Sequence, residues 1–263
     1  GLGDVYKRQV FKNEEVEVSL LKEKTWVFST WDYTTMYLIE GEDKAVLIDT
    51  GTRCADLDKI VGQITGKPLE VIVTHMHPDH AGCIKYFDKV WMHRADTVLV
   101  PQHAADYQGE FLYMEEGQVF DLGGRKLEVA WMPGHTPGSV VLLDKANGDC
   151  YSGDAFGSGE VWLQCVPMSP IATFHESCCR MEKLMKEGHI KDIWCGHYPY
   201  LKSSLPLAYI QTMIRISHRL MNGDQEGSEP YSNYFIKMPP TARKLAEGRA
   251  MIVYDSTNIP EAR

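Results

Sequence analysis

Short runs in which apolar residues alternate with polar ones, or follow one another without a break, recur along this chain and predict β-strands. They cover residues 15–21, 25–29, 36–40, 45–49, 70–74, 126–131, 139–143 and 150–152. Apolar positions at helical spacing predict helices over 56–66, 80–87, 94–103, 174–187 and 205–222. Strands come in runs with helices between some of them, so the pattern predicts an α/β protein with two mixed sheets. The segments KAVLIDTG (44–51) and GDCYSGDAFG (148–157) share a plan of strand, aspartate and glycine turn, and read as equivalent strands of two halves. In the last helix Ile210, Met213, Ile214 and Ile216 form a partly clean apolar stripe, suited to capping a site or to a contact within a homodimer. The tail 229–263 holds a strand-like stretch at 250–254 and has no assigned partner.

Composition sharpens this picture in three respects. Nothing in the 263 residues reads as a linker, which predicts one domain over residues 10–263. Residues 1–9, GLGDVYKRQ, begin with Gly1 in place of methionine and resemble a translated cloning or sequencing linker, so they take no part in the functional reading. With 27 basic and 36 acidic side chains, the net charge of -9 disfavours a nucleic-acid backbone as partner; the expected partner is a small-molecule substrate. No apolar run is long enough to span a bilayer, and the start lacks the charged-then-apolar order of a secretory signal. Seven cysteines, an odd number without paired spacing, suit reduced thiols. The expectation is a cytoplasmic protein without a membrane partner.

The chemistry concentrates in four short pieces: THMHPDH (74–80), PGHTPG around His135, SGD ending at Asp154 and GH ending at His197. His75 and His77 alternate and so point the same way on an extended segment, while Asp79 and His80 follow the reversal that Pro78 favours. Burying three histidines and a carboxylate this close together without a cation leaves polar groups unsatisfied at about 1 to 3 kcal/mol each. The other ligands come singly from distant parts of the chain, as in catalytic sites whose geometry the fold sets. Imidazole and carboxylate without thiolate suit zinc, manganese or iron. In PGHTPGS, Pro133 and Pro137 stiffen the turn that carries His135.

Taken together, the motifs resemble those of the metallo-β-lactamase-fold hydrolase superfamily, in the order of that family's ligand set, with AVLIDTG (45–51) resembling its strand that ends in an aspartate. The resemblance covers the chain from the N-terminal strands to His197. It implies a four-layer αββα sandwich with two divalent metal ions at one edge, zinc first and manganese or iron as alternatives. One ion would be held by His75, His77 and His135, the second by Asp79, His80 and His197, and Asp154 would bridge them. Asp49 would orient ligands through hydrogen bonds without binding metal.

Two cations about 3.5 to 4 Å apart share a water and lower its pKa from about 15.7 towards about 7, which makes a bridging hydroxide available as nucleophile. Asp79 is the candidate for passing a proton to the leaving group. Tyr198, next to the last ligand, either donates a hydrogen bond in catalysis or packs.

Substrate features are thinner. Pocket-wall candidates are Trp31 and Tyr33, the aromatic-bearing stretch 103–113 that starts at His103, and Trp162. The stretch AFGSGEVWLQ after Asp154 carries no basic residue, unlike many glyoxalase II enzymes, and lacks the tyrosine usual in quorum-quenching lactonases. The expected function is therefore a dinuclear metal hydrolase of a small ester-like substrate: thioester, lactone or carboxylic ester. The alternatives are a phosphodiesterase or β-lactamase on the same site, or a mono-iron sulfur dioxygenase.

Overall fold

The computed structural model describes residues 9–234 and 236–260. Of the stretch read as a linker, residues 1–8 lie outside the described residues, and Gln9 is already the first residue of a strand. An eight-stranded sheet holds β1 (Gln9–Lys12), β2 (Val16–Lys22), β3 (Thr25–Thr30), β4 (Thr35–Glu40), β5 (Ala45–Ile48), β6 (Leu69–Ile72), β7 (Lys89–His93) and β8 (Glu110–Met114), in chain order. Pairing is antiparallel up to β5 and parallel from β5 to β8. A five-stranded sheet is built from β9 (Val119–Asp121), β10 (Lys126–Trp131), β11 (Val140–Asp144), β12 (Asp149–Gly153) and β14 (Asp192–Cys195), ordered β14-β12-β11-β10-β9. A third sheet joins β13 (Glu160–Trp162) to β17 (Ala250–Asp255), β16 (Ala242–Glu247) and β15 (Glu229–Pro230).

Alternation explains the layering. Along β4 and β5 the side chains of Tyr37, Ile39, Val46 and Ile48 enter a cluster shared with Leu127, Val129, Val140, Leu142 and Tyr151 from the second sheet. Their neighbours Met36, Leu38, Ala45 and Leu47 point the other way, against Leu57, Ile60 and Val61 of helix Leu57–Gly62. Val141 and Leu143 of β11 do the same on the far side, meeting Phe174, Cys178 and Met181 of helix Ile171–Lys186. Each strand is covered on both faces, which is why these runs read as apolar with little alternation. The result is the four-layer α/β arrangement with mixed sheets. The layers are also pinned by charge: Lys22 Nζ lies 2.6 Å from the fully buried Asp149 and 3.3 Å from Asp192.

Several expectations need correction. The third sheet lies outside the two that the pattern predicted; it uses the tail, whose strands pair with β13 in the middle of the chain. The stretch 103–113 does not serve as a pocket wall throughout, because its end belongs to β8, the edge strand that pairs with β7. The stripe of helix Leu207–Met221 is used inside the chain: Ile210, Met213 and Ile216 are fully buried in the cluster with helix Ile171–Lys186. It is not a free face for capping the site or for a dimer. Among the described residues all seven cysteines are free, and no helix is long and apolar enough to cross a membrane.

Candidate metal centre

Parallel strands bring the chemistry to one edge. Asp49 follows β5, Thr74 and His75 follow β6, His135 follows β10, Asp154 follows β12 and His197 follows β14. Since β5 and β6 run parallel, as do β12 and β14, their C-terminal ends face the same way. The chain turns sharply at these ends. Asp49 itself has φ +63, and Gly153 has φ +49, with its Cα so close to Thr74 Oγ1 that no Cβ would fit. At Gly196 a Cβ would collide with Asp154 and with the His80 ring.

The structure brings all seven expected ligand residues together. One ligand atom from each of His75, His77 and His135 lies within 4.8 Å of the others, and the same holds for Asp79, His80, Asp154 and His197. Asp154 faces both groups, its Oδ2 being 3.2 Å from His197 Nε2, 3.5 Å from His80 Nε2 and 3.9 Å from His135 Nε2. Asp79 Oδ2 is 3.5 Å from His197 Nε2 and 3.6 Å from His80 Nε2.

Hydrogen bonds decide which nitrogen each imidazole presents. Asp49 Oδ2 accepts from His80 Nδ1 at 2.7 Å and from Thr74 Oγ1 at 2.9 Å, and Thr74 Oγ1 in turn meets His75 Nδ1 at 3.2 Å. The Nε2 atoms of His75 and His80 are therefore left bare. His135 Nδ1 donates to the Trp162 carbonyl at 2.7 Å, which turns its Nε2 toward His77 Nδ1 at 2.9 Å. His75 Nε2, His80 Nε2, Asp154 Oδ1 and His197 Nδ1 are buried without a hydrogen-bond partner among the described residues. Native interiors rarely leave such atoms unpaired, so the donor set fits divalent cations.

The two groups differ electrostatically. Burial, with the surrounding imidazoles, holds the His75 pKa well below its ordinary value, and burial beside His135 brings His77 down to about 3. Both are neutral, the form in which imidazole ligates metal. Burial also opposes protonation of His80 and His197, but the carboxylates of Asp154 and Asp79 outweigh it and hold both pKa values well above the ordinary one. Burial would raise the pKa of Asp79 and Asp154; the neighbouring His80 and His197 instead pull both carboxyls down.

Other candidates sort by position. Tyr198 is 4 % exposed, within the cluster between the sheets and with its ring 6.0 Å from that of Trp194. Tyr200, which the sequence reading passed over, is 62 % exposed, stacks on the exposed Tyr33 at 5.1 Å and lies 6.0 Å from the His197 ring. His103 is ring-to-edge with His77 at 5.9 Å. Trp162 contributes through its carbonyl, whereas Trp31 lines a separate surface hollow with Asn13, Glu15 and Arg53 that contains no ligand residue. Thr74 was also passed over, although its place immediately before His75 was a signal for it.

Residues 29–166 match the family model of the Metallo-beta-lactamase superfamily. The chain is similar to the acyl-coenzyme A thioesterase MBLAC2 of Homo sapiens, with 25% identity over 210 residues that cover 65% of this chain and 75% of the relative. It is also similar to a hydroxyacylglutathione hydrolase of Aeromonas salmonicida, 27% identical, covering 66% of this chain and 64% of that protein. Among solved structures, a metallo-beta-lactamase from Pontibacter korlensis aligns with a TM-score of 0.62 at 17% identity, over 78% of this chain and 99% of that one. TTHA1623, solved in a di-iron-bound form, aligns with a TM-score of 0.54 at 27% identity, over 66% of this chain and 90% of its own.

Proposed function

The chain belongs to the metallo-β-lactamase superfamily, and on that premise we propose that it is a two-metal hydrolase of acyl thioesters. The observation that carries this reading is the pair of adjacent clusters in which His75 Nε2, His80 Nε2 and Asp154 Oδ1 are buried and unpartnered among the described residues. The distances support one ion on His75, His77 and His135, a second on Asp79, His80 and His197, and Asp154 shared between them. When bound, such a pair supplies an acidified water and polarises a substrate carbonyl.

The chain's own residues do the rest. Asp49 orients His80 directly and His75 through Thr74. Asp79, whose side chain is 34% exposed and whose carboxyl pKa is held down by His80 and His197, would take up the proton that the attacking water gives up and deliver it from Oδ2 to the departing thiolate. Of the two roles open to Tyr198, burial favours packing. Tyr200, with Tyr33 stacked on it, lies beside His197, and His103 lies beside His77, so these rings would touch substrate.

A thioester is favoured over a lactone, carboxylic ester, phosphodiester or β-lactam because the relatives named above carry thioesterase and hydroxyacylglutathione hydrolase activities in their names. The lack of basic residues after Asp154 favours a carrier other than glutathione. Zinc is the proposed metal; the likeness to TTHA1623 in its di-iron-bound form supports iron as the second reading. The test is elemental mass spectrometry of protein purified without added metal, together with thiol release from a series of acyl-coenzyme A esters. We expect about two ions per chain, and hydrolysis lost on chelation and restored by metal. Thiol release indifferent to chelation would sink the reading, and one iron per chain with oxygen consumption would replace it by sulfur oxygenation.

A further inference from the structure

Asp96 lies outside every motif, in the six-residue 3-10 helix Arg94–Leu99 that follows β7, and it is 1% exposed. Its carboxylate makes three hydrogen bonds, and all of them go to the two loops that carry the imidazole trio. Oδ2 accepts from the backbone N–H of Met76 at 2.9 Å and from Thr136 Oγ1 at 3.0 Å, and Oδ1 accepts from the backbone N–H of Gly138 at 2.6 Å. Met76 sits between His75 and His77, and Thr136 follows His135. Gly138 is close enough that a Cβ there would run into the carboxylate. The loop is further closed by Ser139, whose Oγ accepts from Thr136 N and lies 2.8 Å from Thr136 Oγ1.

A buried carboxylate is an expensive connector. Burial pushes the Asp96 carboxyl up, against the pull of the donors around it. No lysine or arginine forms an ion pair with it among the described residues. Hydrogen bonds to a charged acceptor are stronger than those between neutral partners, and here they join segments separated by 20 and by 40 to 42 residues of chain. The two loops also meet directly at His77 Nδ1 and His135 Nε2, 2.9 Å apart, and Asp154 faces both, 3.5 Å from His80 and 3.9 Å from His135; Asp96 differs in holding the backbone of each loop.

We infer that Asp96 is a positioning residue: by bonding Met76, Thr136 and Gly138 at once, it sets His75 and His77 against His135 and so forms the trio as a unit. The inference rests on the two-metal reading for its functional meaning, because the trio is taken there as one metal's holder. Asp96→Asn offers one acceptor oxygen and one amide in place of two acceptors, so it turns a donor toward one of the two loops. Thr136→Val removes one of the three bonds to Asp96, together with the contact between Thr136 Oγ1 and Ser139 Oγ, and leaves the two N–H contacts of the carboxylate.

The experiment measures ions per chain along a chelator series, and backbone hydrogen exchange at Met76 and Gly138 in the metal-free protein, for the wild type and both variants. Asp96→Asn is expected to lose one ion at about 10- to 100-fold lower chelator than the wild type, to keep the other ion, and to exchange faster at Met76 or Gly138. Thr136→Val should fall between it and the wild type, with the melting temperature of the metal-free protein close to that of the wild type. Loss of both ions together, with a collapsed melting temperature in both variants, would make Asp96 a general stability residue and overturn the inference. Wild-type metal binding in Asp96→Asn would overturn it as well. A wild type that holds no ion fails the two-metal reading instead; exchange then decides alone, with faster exchange sustaining Asp96 as the joint between the loops and unchanged exchange refuting it.

Discussion

The trio His75, His77 and His135 and the mixed cluster Asp79, His80, Asp154 and His197 share one edge of the fold but are prepared for a cation in opposite ways. The trio contains no carboxylate. Its imidazoles are held by a hydroxyl, a carbonyl and one another, and burial keeps His75 and His77 neutral. In the mixed cluster the carboxylates of Asp154 and Asp79 outweigh burial and hold the pKa values of His80 and His197 well above the ordinary one. The difference teaches that the trio presents ready lone pairs on a geometry fixed from outside, whereas the mixed cluster carries its own compensating charge, so that a metal bound there would compete with protons. Asp154 belongs to the second by charge and reaches the first by distance.

Three substitutions probe that contrast. Asp154→Ala takes away the one carboxylate that faces both clusters. Its thioesterase rate is expected to fall about 10³-fold, with metal content dropping below the wild-type value; full metal loading with near-normal turnover would deny that the clusters share a residue. Asp79→Asn alters only the mixed cluster and removes the proposed proton carrier. A drop of about 10²-fold or more in kcat should shrink for aryl thioesters, whose leaving groups need no proton, and a deficit equal for all leaving groups would assign Asp79 to metal binding alone. Asp49→Asn gives the smallest effect, about 10- to 100-fold in metal affinity. It should weaken the mixed cluster more than the trio, because it touches His80 directly and His75 only through Thr74. Equal weakening on competitive chelation would show that Thr74 transmits the orientation fully.

Much of the architecture was legible in the chain, and the misses have physical causes. The strands 126–131 and 25–29 stand within a residue of where alternation places them. β7 and β8 were overlooked because KVWMH and EFLYM are short and flanked by segments that read as helix or loop. The strand read as 45–49 stops at Ile48, because Asp49 leaves extended backbone to meet Thr74. The likeness between KAVLIDTG and GDCYSGDAFG has a structural counterpart: their aspartates flank the same ring, Asp49 at His80 Nδ1 and Asp154 near His80 Nε2.

Read by itself, the sequence determined the kind of chemistry and the layering. A compact HxHxDH loop and period-two apolar runs are local properties, set by side-chain direction over a few residues. Tertiary structure alone decided which nitrogen His75, His80 and His135 present, which way each ring's pKa moves, and that Asp96 joins two loops. Apart from neighbours in the same loop, such as Thr74 beside His75 and Asp79 beside His80, those outcomes depend on partners at least 20 residues away and on burial among them, and neither exists until the sheets have packed.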